Sequence, residues 1–367
     1  MNLPDDLSQI SNLGELLDNQ HKKMEELRNV VKRLEFVPLD PGGSYQPVTF
    51  KAFDGGMFSL NFNPFEFDIV IVTDSNGNRR LSFAAPSGDL RGSGELDEII
   101  HPFEQEPVIR GFLELLGKQK LTDITEVLTR RETLMELGEF ACMFDKVEVA
   151  PHDEKTIIMR DGLLRTKKIK AELLPRLKQR LADNKRHVKM IGVAKTSKLL
   201  YLLQAALVCE NVFPQDRIGF VKVPIEVELR AYRWGGHGLL KGHETRPLVY
   251  SFGSLYVAKL SRHKNLLVTV EIPNNIDNSE MHSDDDVMEI ISYLANNAKL
   301  SYPNIGYPQT LMKAHEYAVQ QGFPTSIRRD KILDRLRETS DPKLKDYIRD
   351  HELLGDNLDK GWLGGRA

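Results

Sequence analysis

Residues 65–86 read FEFDIVIVTD, SNGN, RRLSFAAP: two β-prone runs joined by four turn-forming residues. Asn-Gly between runs of apolar and β-branched residues is a strong hairpin signal, because both residues tolerate the positive φ of a tight turn. An antiparallel pair is therefore fixed early in the chain, and a further strand at 48–54 precedes it. Beyond the hairpin the rhythm changes. A helical block covers 107–145, and a strand, KTIIMRDG, covers 155–162. Helix 170–184, strand 187–197 and helix 197–210 come next, then strands at 225–234, 246–261 and 265–273. Helices at 284–300 and 308–322 close the body. Hairpins mixed with strand–helix–strand units predict an α/β fold around one mixed β-sheet flanked by helices.

The ends read differently from this body. Residues 5–36 carry Met24, Leu27, Val31 and Leu34 at helical spacing among Lys, Glu and Arg, which predicts an amphipathic N-terminal helix. Segment 1–38 is therefore expected as a helical extension packing on its own domain or on a dimer or partner surface. PLDPGGSYQP (38–47) is a loop by its Pro and Gly content, 39–324 is the expected main domain, and 325–367 is a highly charged tail. No run approaches 18 apolar residues, and the N-terminus is acidic rather than a basic leader, so neither membrane spanning nor secretion is expected. The two cysteines, Cys142 and Cys209, have no CxxC spacing, which suits a reducing cytoplasm. A net charge of −3 carries no information about a polyanionic partner.

Two stretches place an acid after a strand with glycine next: TFKAFDGGMF (49–58) and TIIMRDGLLR (156–165). An Asp-Gly pair is a common turn dipeptide. It is also a way to bring a carboxylate to a crevice, with glycine leaving room for a phosphate. Hard cations such as Mg²⁺ and Mn²⁺ need several oxygen ligands, so Asp54 and Asp161 would require a third acid. The helix EVLTRRETLMELGEFACMF offers Glu132, Glu136 and Glu139 on one face, and its apolar stripe (Val127, Leu134, Leu137, Ala141, Phe144) faces the core. Spacing does not choose among the glutamates.

Between Arg160 and Lys198 stand thirteen Lys plus Arg against three acids, +10 in a chain of net −3. A solvated helix face explains such a run. So does a groove that holds a nucleic-acid backbone beside metal-binding acids, the run starting next to Asp161 and carrying Lys195.

YPNIGYPQTLMKAHEYA (302–318) adds Tyr307 and, eight residues on, His315 on a helix that Pro308 can start. With FDGG, the Arg- and Glu-bearing helix, RDGLL, GVAKTSK and GYPQTLMKAH, the ordered set over about 45–320 resembles the NurA nuclease family. Both Asp-Gly pairs lack the serine that usually follows in that family, and VTVEIP lacks the arginine often found before its acid, Glu271. The resemblance implies an RNase H-like sheet and a manganese-dependent DNA nuclease, 5′–3′ exonuclease and/or endonuclease. It also implies a homodimer working with a HerA-like hexameric ATPase in DNA repair or antiviral defence. Carried over by motif, Asp54, one helix glutamate (Glu136 first, after the Arg130-Arg131 pair, with Glu132 the rival) and Asp161 are metal ligands for Mn²⁺ or Mg²⁺. Tyr307 and His315 complete the site, His315 as a ligand or a proton carrier, and Lys195 would stabilise a phosphate. Two rival readings stand beside this one: a non-catalytic DNA-binding scaffold subunit of the ATPase complex, and a phosphohydrolase of small nucleotides. No GxxxxGK[ST] loop is present, so ATP hydrolysis would belong to a partner.

Overall fold

The computed structural model describes residues 19, 21–40, 47–62, 65–86, 96–125, 131–195, 201–229, 250–263, 266–299, 301 and 305–322. The charged tail, most of the segment before residue 21, and the ends of several expected strands and helices lie outside the described residues. The strands are β1 (Val37–Pro38), β2 (Val48–Phe62), β3 (Phe65–Asp74), β4 (Arg79–Pro86), β5 (Lys155–Asp161), β6 (Val188–Ala194), β7 (Gly219–Lys222), β8 (Gly253–Lys259) and β9 (Leu267–Pro273). They lie in the order β1-β7-β8-β9-β6-β5-β2-β3-β4. β5 and β6 are parallel, whereas β2–β3, β3–β4, β6–β9, β7–β8 and β8–β9 are antiparallel, so the sheet is mixed. The run β4-β3-β2-β5-β6, a meander followed by a parallel pair, is the strand order of an RNase H-like core.

Helices alternate with these strands: α1 (21–31), α2 (Leu96–Gln105), α3 (Pro107–Leu115), α4 (Leu121–Ile124), α5 (Arg131–Val149), α6 (Leu174–Asn184), α7 (Tyr201–Cys209), α8 (225–229), α9 (Asp284–Ala298) and α10 (Gln309–Gly322). Two compact units emerge. One comprises Met1–Ala52, Val149–Lys167 and Ala171–Met312, and the other Phe53–Glu148, Lys168–Lys170 and Lys313–Ala367. Strand β2 begins in the first and continues in the second.

In the first unit, Leu27 and Val31 of α1 are buried in a core cluster with Leu203, Leu207, Val221 and Leu255, and Met24 and Leu34 pack against it. The apolar face of α1 is thus covered by its own unit, and the Arg28 guanidinium donates to Glu210 beside it. In the second unit, α5 buries Leu134, Leu137, Phe140, Ala141 and Phe144. Each large apolar side chain among them contributes about 1.5–3 kcal/mol by leaving water. Val127 lies outside the described residues. Among those residues no helix is long and apolar enough to cross a membrane.

Two local readings of the sequence are corrected. Residues 225–229 are helical, although IEVEL alternates like a strand. Pro224 starts a turn there, its carbonyl accepting from Val227 N and Glu228 N at 3.0 and 3.1 Å. The second concerns β2, expected to stop at Asp54. It runs on to Phe62, with Asp54, Gly55 and Gly56 paired to Thr73, Val72 and Ile71 of β3. The 74–78 hairpin forms as expected, with Gly77 at φ +84° and Asp74 Oδ1 accepting from Asn76 N and Asn78 N.

His282 is buried in the first unit, with its Nδ1 3.2 Å from Lys189 Nζ, which also donates to Asp286 at 2.9 Å. Burial, then the Lys189 charge, pushes the His282 imidazole down to about 4. Unfolded, the ring takes its proton near pH 6.5; folded, it refuses it until about 4. Stability from this group is therefore complete above pH 6.5 and is lost as pH falls from 6.5 to 4. We expect His282→Gln to flatten the pH dependence of urea unfolding in that window by about 3 kcal/mol.

Candidate active site

Asp54 and Asp161 occupy different positions in their strands, and each is held by a ring from the segment after residue 305. In the second unit, buried Asp54 sits in mid-strand, and its Oδ2 is 2.7 Å from His315 Nδ1 on α10. With Nδ1 on Asp54, Nε2 is the ring nitrogen left for a further contact, and the His315 side chain is about half exposed (51%). The two glycines that follow Asp54 are required by packing rather than by a turn. Successive residues of a strand face opposite ways. At Gly55 an added Cβ would run into Met135 and stand 2.8 Å from Glu139 Oε1 of α5. At Gly56 it would stand 3.1 Å from the Ala318 carbonyl of α10. A helix thus approaches each side of the strand at the acid.

The helix glutamates separate on the structure. Glu132 is exposed, Glu136 is half-buried, and Glu139 is buried. Glu139 Oε1 accepts from Gly55 N at 2.9 Å, on the peptide that follows Asp54. The three share a helix face by spacing, so only the packing of α5 identifies the one that reaches the strand. The available signal was local: Glu139 is the acid flanked by Gly138 and Phe140 in the most apolar part of the helix.

In the first unit, β5 ends at Asp161 as expected, and Gly162 turns the chain at φ +122°. Tyr307 is fully buried and its hydroxyl lies 2.7 Å from Asp161 Oδ1 and 3.1 Å from the Val193 carbonyl. Lys195 Nζ is 3.4 Å from Asp161 Oδ2 and 4.5 Å from the centre of the Tyr307 ring. Asp161 is thus oriented through one oxygen by a neutral donor and approached at the other by a cation. Gly192 of β6 has the Gly162 carbonyl and Leu164 N within 2.7 Å of where a Cβ would sit, so this strand end also depends on close backbone packing.

Several cations of the 160–198 run serve the fold. Arg160 Nη1 donates to the Leu163 carbonyl at 2.6 Å, and Lys178 Nζ to Asn278 Oδ1 at 3.1 Å. Burial lowers the Lys178 and Lys167 ammonium groups. Arg165 joins a buried cluster that sequence reasoning missed. It contacts Glu228 through Nη1 and Glu271 through Nε and Nη2, at 3.1 and 3.0 Å from the latter. Glu271 also accepts from Arg165 N and Gly253 N at 2.9 and 3.1 Å. Burial raises the Glu228 carboxyl, against the pull of the Arg165 guanidinium. Fully buried Glu271 is therefore a structural acid, not a surface contact. Among the described residues, Arg160, Arg165 and Lys178 of the +10 run are thus taken up by the fold.

In this α/β protein each of two strand acids is held by a ring from the segment 307–315. The sequence model of the NurA domain family matches residues 73–320, and the chain belongs to this family. No curated protein matches it in sequence. It is similar to the solved structure of the NurA nuclease from Sulfolobus solfataricus at 12% identity, covering 93% of this chain and 99% of that one, with a TM-score of 0.46. It is similar to a structure of NurA with manganese at 12% identity, 91% and 99% coverage and TM-score 0.38. The catalytic domain of human endonuclease V gives 11% identity, 86% and 98% coverage and TM-score 0.29. The family assignment rests on the sequence match alone.

The packing at β2 makes a direct prediction. Gly55→Ala should destabilise the protein by about 1–3 kcal/mol through overpacking against Met135 and Glu139. Urea unfolding followed by circular dichroism measures it.

Proposed function

We propose that this chain is a metal-dependent DNA nuclease in which Asp54, Glu139 and Asp161 hold a divalent cation, Mn²⁺ or Mg²⁺, against the scissile phosphate. The observation that carries the reading is the pairing of each strand acid with a ring at the family's motif positions: Asp54 with His315, Asp161 with Tyr307. The donor set fits such a cation, since carboxylate oxygens suit a hard ion. A solved structure of NurA bound to dAMP and manganese agrees with this choice. When bound, the cation lowers the pKa of a water and neutralises charge on the phosphate.

The chain's own residues do the rest. His315, held through Nδ1 by Asp54, offers Nε2 to take or give the proton of the attacking water or leaving oxygen. Tyr307 fixes the Asp161 carboxylate through Oη. Lys195, beside Asp161, meets the phosphate charge. Glu139 replaces Glu136 as the favoured helix acid because it reaches the Asp54–Gly55 peptide. Cys142 is no nucleophile: burial pushes its thiol up to about 12.

The homodimer and the HerA-like ATPase belong to the same proposal, in DNA end processing or antiviral defence. Translocation energy has to come from such a partner, because the chain has no phosphate-binding loop of its own. With the apolar face of α1 covered, the charged tail at 325–367 is the better candidate contact. Size-exclusion with light scattering tests this part, and a monomer that ignores the ATPase overturns it.

The catalytic reading is tested with labelled linear and circular DNA and Mn²⁺. Asp54→Ala and Asp161→Ala should each lower cleavage by about 10²–10⁴-fold. Tyr307→Phe should cost about 10–100-fold, as for a group that orients a ligand. Glu139→Gln should cost far more than Glu136→Gln. Near-wild-type cleavage by both aspartate variants would overturn this site, whereas DNA binding by the wild-type chain without Mn²⁺-dependent cleavage would favour the scaffold reading.

A further inference from the structure

A cavity of about 370 Å³ opens in the first unit, bounded by the residues after β8, the residue before β7 and the end of α9. Its size lies within the range of small-molecule sites. The floor is apolar, from Ile218, Leu260 and Ala295, and Arg262, His263 and Lys299 stand around it. These three side chains are exposed, and among the described residues their charged groups show no ion pair, while His263 N donates to Ser261 Oγ at 3.1 Å. Ser261 and Asn296 supply neutral polar groups. At the carboxyl end of α9, Ser301 Oγ donates to the Ala298 carbonyl at 2.9 Å. An apolar floor under a cationic rim with an amide at its side suits a nucleotide: a base below, a phosphate above.

The sheet register places this cavity on the edge that carries Asp161. Asp161 pairs with Val193 at the end of β6, Ala194 with Thr269 near the start of β9, and Leu267 with Lys259 at the end of β8. Asp161, Lys195 and the 260–263 segment therefore emerge at one edge. From β5 to β8 is three strand steps, about 14 Å. That distance spans about four nucleotides of a B-form strand, and fewer of an extended one. The two places are also joined by packing. Gly306, at φ +97°, brings its backbone against Ser261, 3.2 Å from a would-be Cβ, and the next residue is Tyr307 on Asp161.

We infer that this cavity is a subsite for a nucleotide of the DNA strand a few nucleotides from the scissile phosphate. Arg262 and Lys299 hold its phosphate, and Leu260 and Ala295 lie under its base. The inference rests on the nuclease reading but is tested without turnover. Thymidine oligonucleotides of three and ten residues are bound to the full chain in EDTA and followed by fluorescence anisotropy over a salt series. The ten-mer should bind at least ~10-fold tighter than the three-mer, and Arg262→Ala with Lys299→Ala should remove that gain and lower the salt slope by about two. Arg262→Glu with Lys299→Glu should weaken the ten-mer further, with thermal unfolding confirming that both doubles fold. Retention of the gain and the slope overturns the subsite. So does dAMP that shields His263 from diethylpyrocarbonate as fully as the ten-mer does, since the cavity would then serve a free nucleotide. A chain that binds with the expected length dependence yet cuts nothing refutes the nuclease reading alone. One that cuts while the doubles keep the wild-type length dependence refutes the subsite alone.

Discussion

The second unit depends on how closely α5 lies on β2. Gly55 gives up its side chain to Met135 and Glu139, and Gly138 gives up its own to Leu81 and Val72, 2.5 and 3.2 Å from where a Cβ would sit. Helices on sheets normally stand off by the length of their side chains. Here two glycines remove that spacer, and a buried carboxylate fills the gap by taking the Gly55 amide. Burying an acid is costly unless its oxygens are satisfied, so Glu139 also fixes the register of helix on strand. Asp54, the next residue back, inherits its position from that register, and α10 meets the other side at Gly56.

The first unit solves a related problem by charge. Arg165 lies between Glu228 and Glu271, and Glu271 further binds the amides of Arg165, Phe252 and Gly253. A buried cluster of this kind contributes little net stability, but removing one member leaves an uncompensated charge. Its effect is geometric: it ties the turn after Asp161 to β9 and to the start of β8, the strands on which that end of the sheet is built. The arginine follows Asp161 by four residues, so the acid and the anchor for its turn are one sequence motif.

Much of this was legible in the residues. Periodicity found β3, β4, β5, β6, α6, α7, α9 and α10, because each is long enough for its apolar pattern to repeat. Asp161 at a strand end followed by a positive-φ glycine was legible for the same reason. Asp54 was not, because Asp-Gly-Gly signals a turn whenever local preference decides, and here tertiary packing decides. Residues 225–229 failed in the opposite sense: a strand-like alternation yielded to the helix that Pro224 starts. The basic run carries less than its count, because counting charges treats them all as solvated. Arg160, Arg165 and Lys178 turn inward, and nothing in the spacing of Lys and Arg distinguishes them. The cluster around Glu271 needed three segments far apart in sequence, which no local pattern joins.

One short segment supplies the partner of each acid. Tyr307 reaches Asp161 within the first unit, and eight residues later His315 reaches Asp54 within the second. The two rings differ in the way their acids require. Tyr307 is sealed from solvent and donates a single proton, so it can only orient. His315 is half exposed and has a second nitrogen beyond the one that meets Asp54. A helix start at Pro308 sets the separation, since the proline ends the Gly306–Tyr307 turn and the following turns of α10 carry His315 to its acid. Insertion or deletion of a residue between them would rotate His315 by about 100° around the helix axis. The spacing of tyrosine and histidine is therefore a geometric requirement of the fold, and it is the reason a motif at the end of the domain can report on acids more than a hundred residues away.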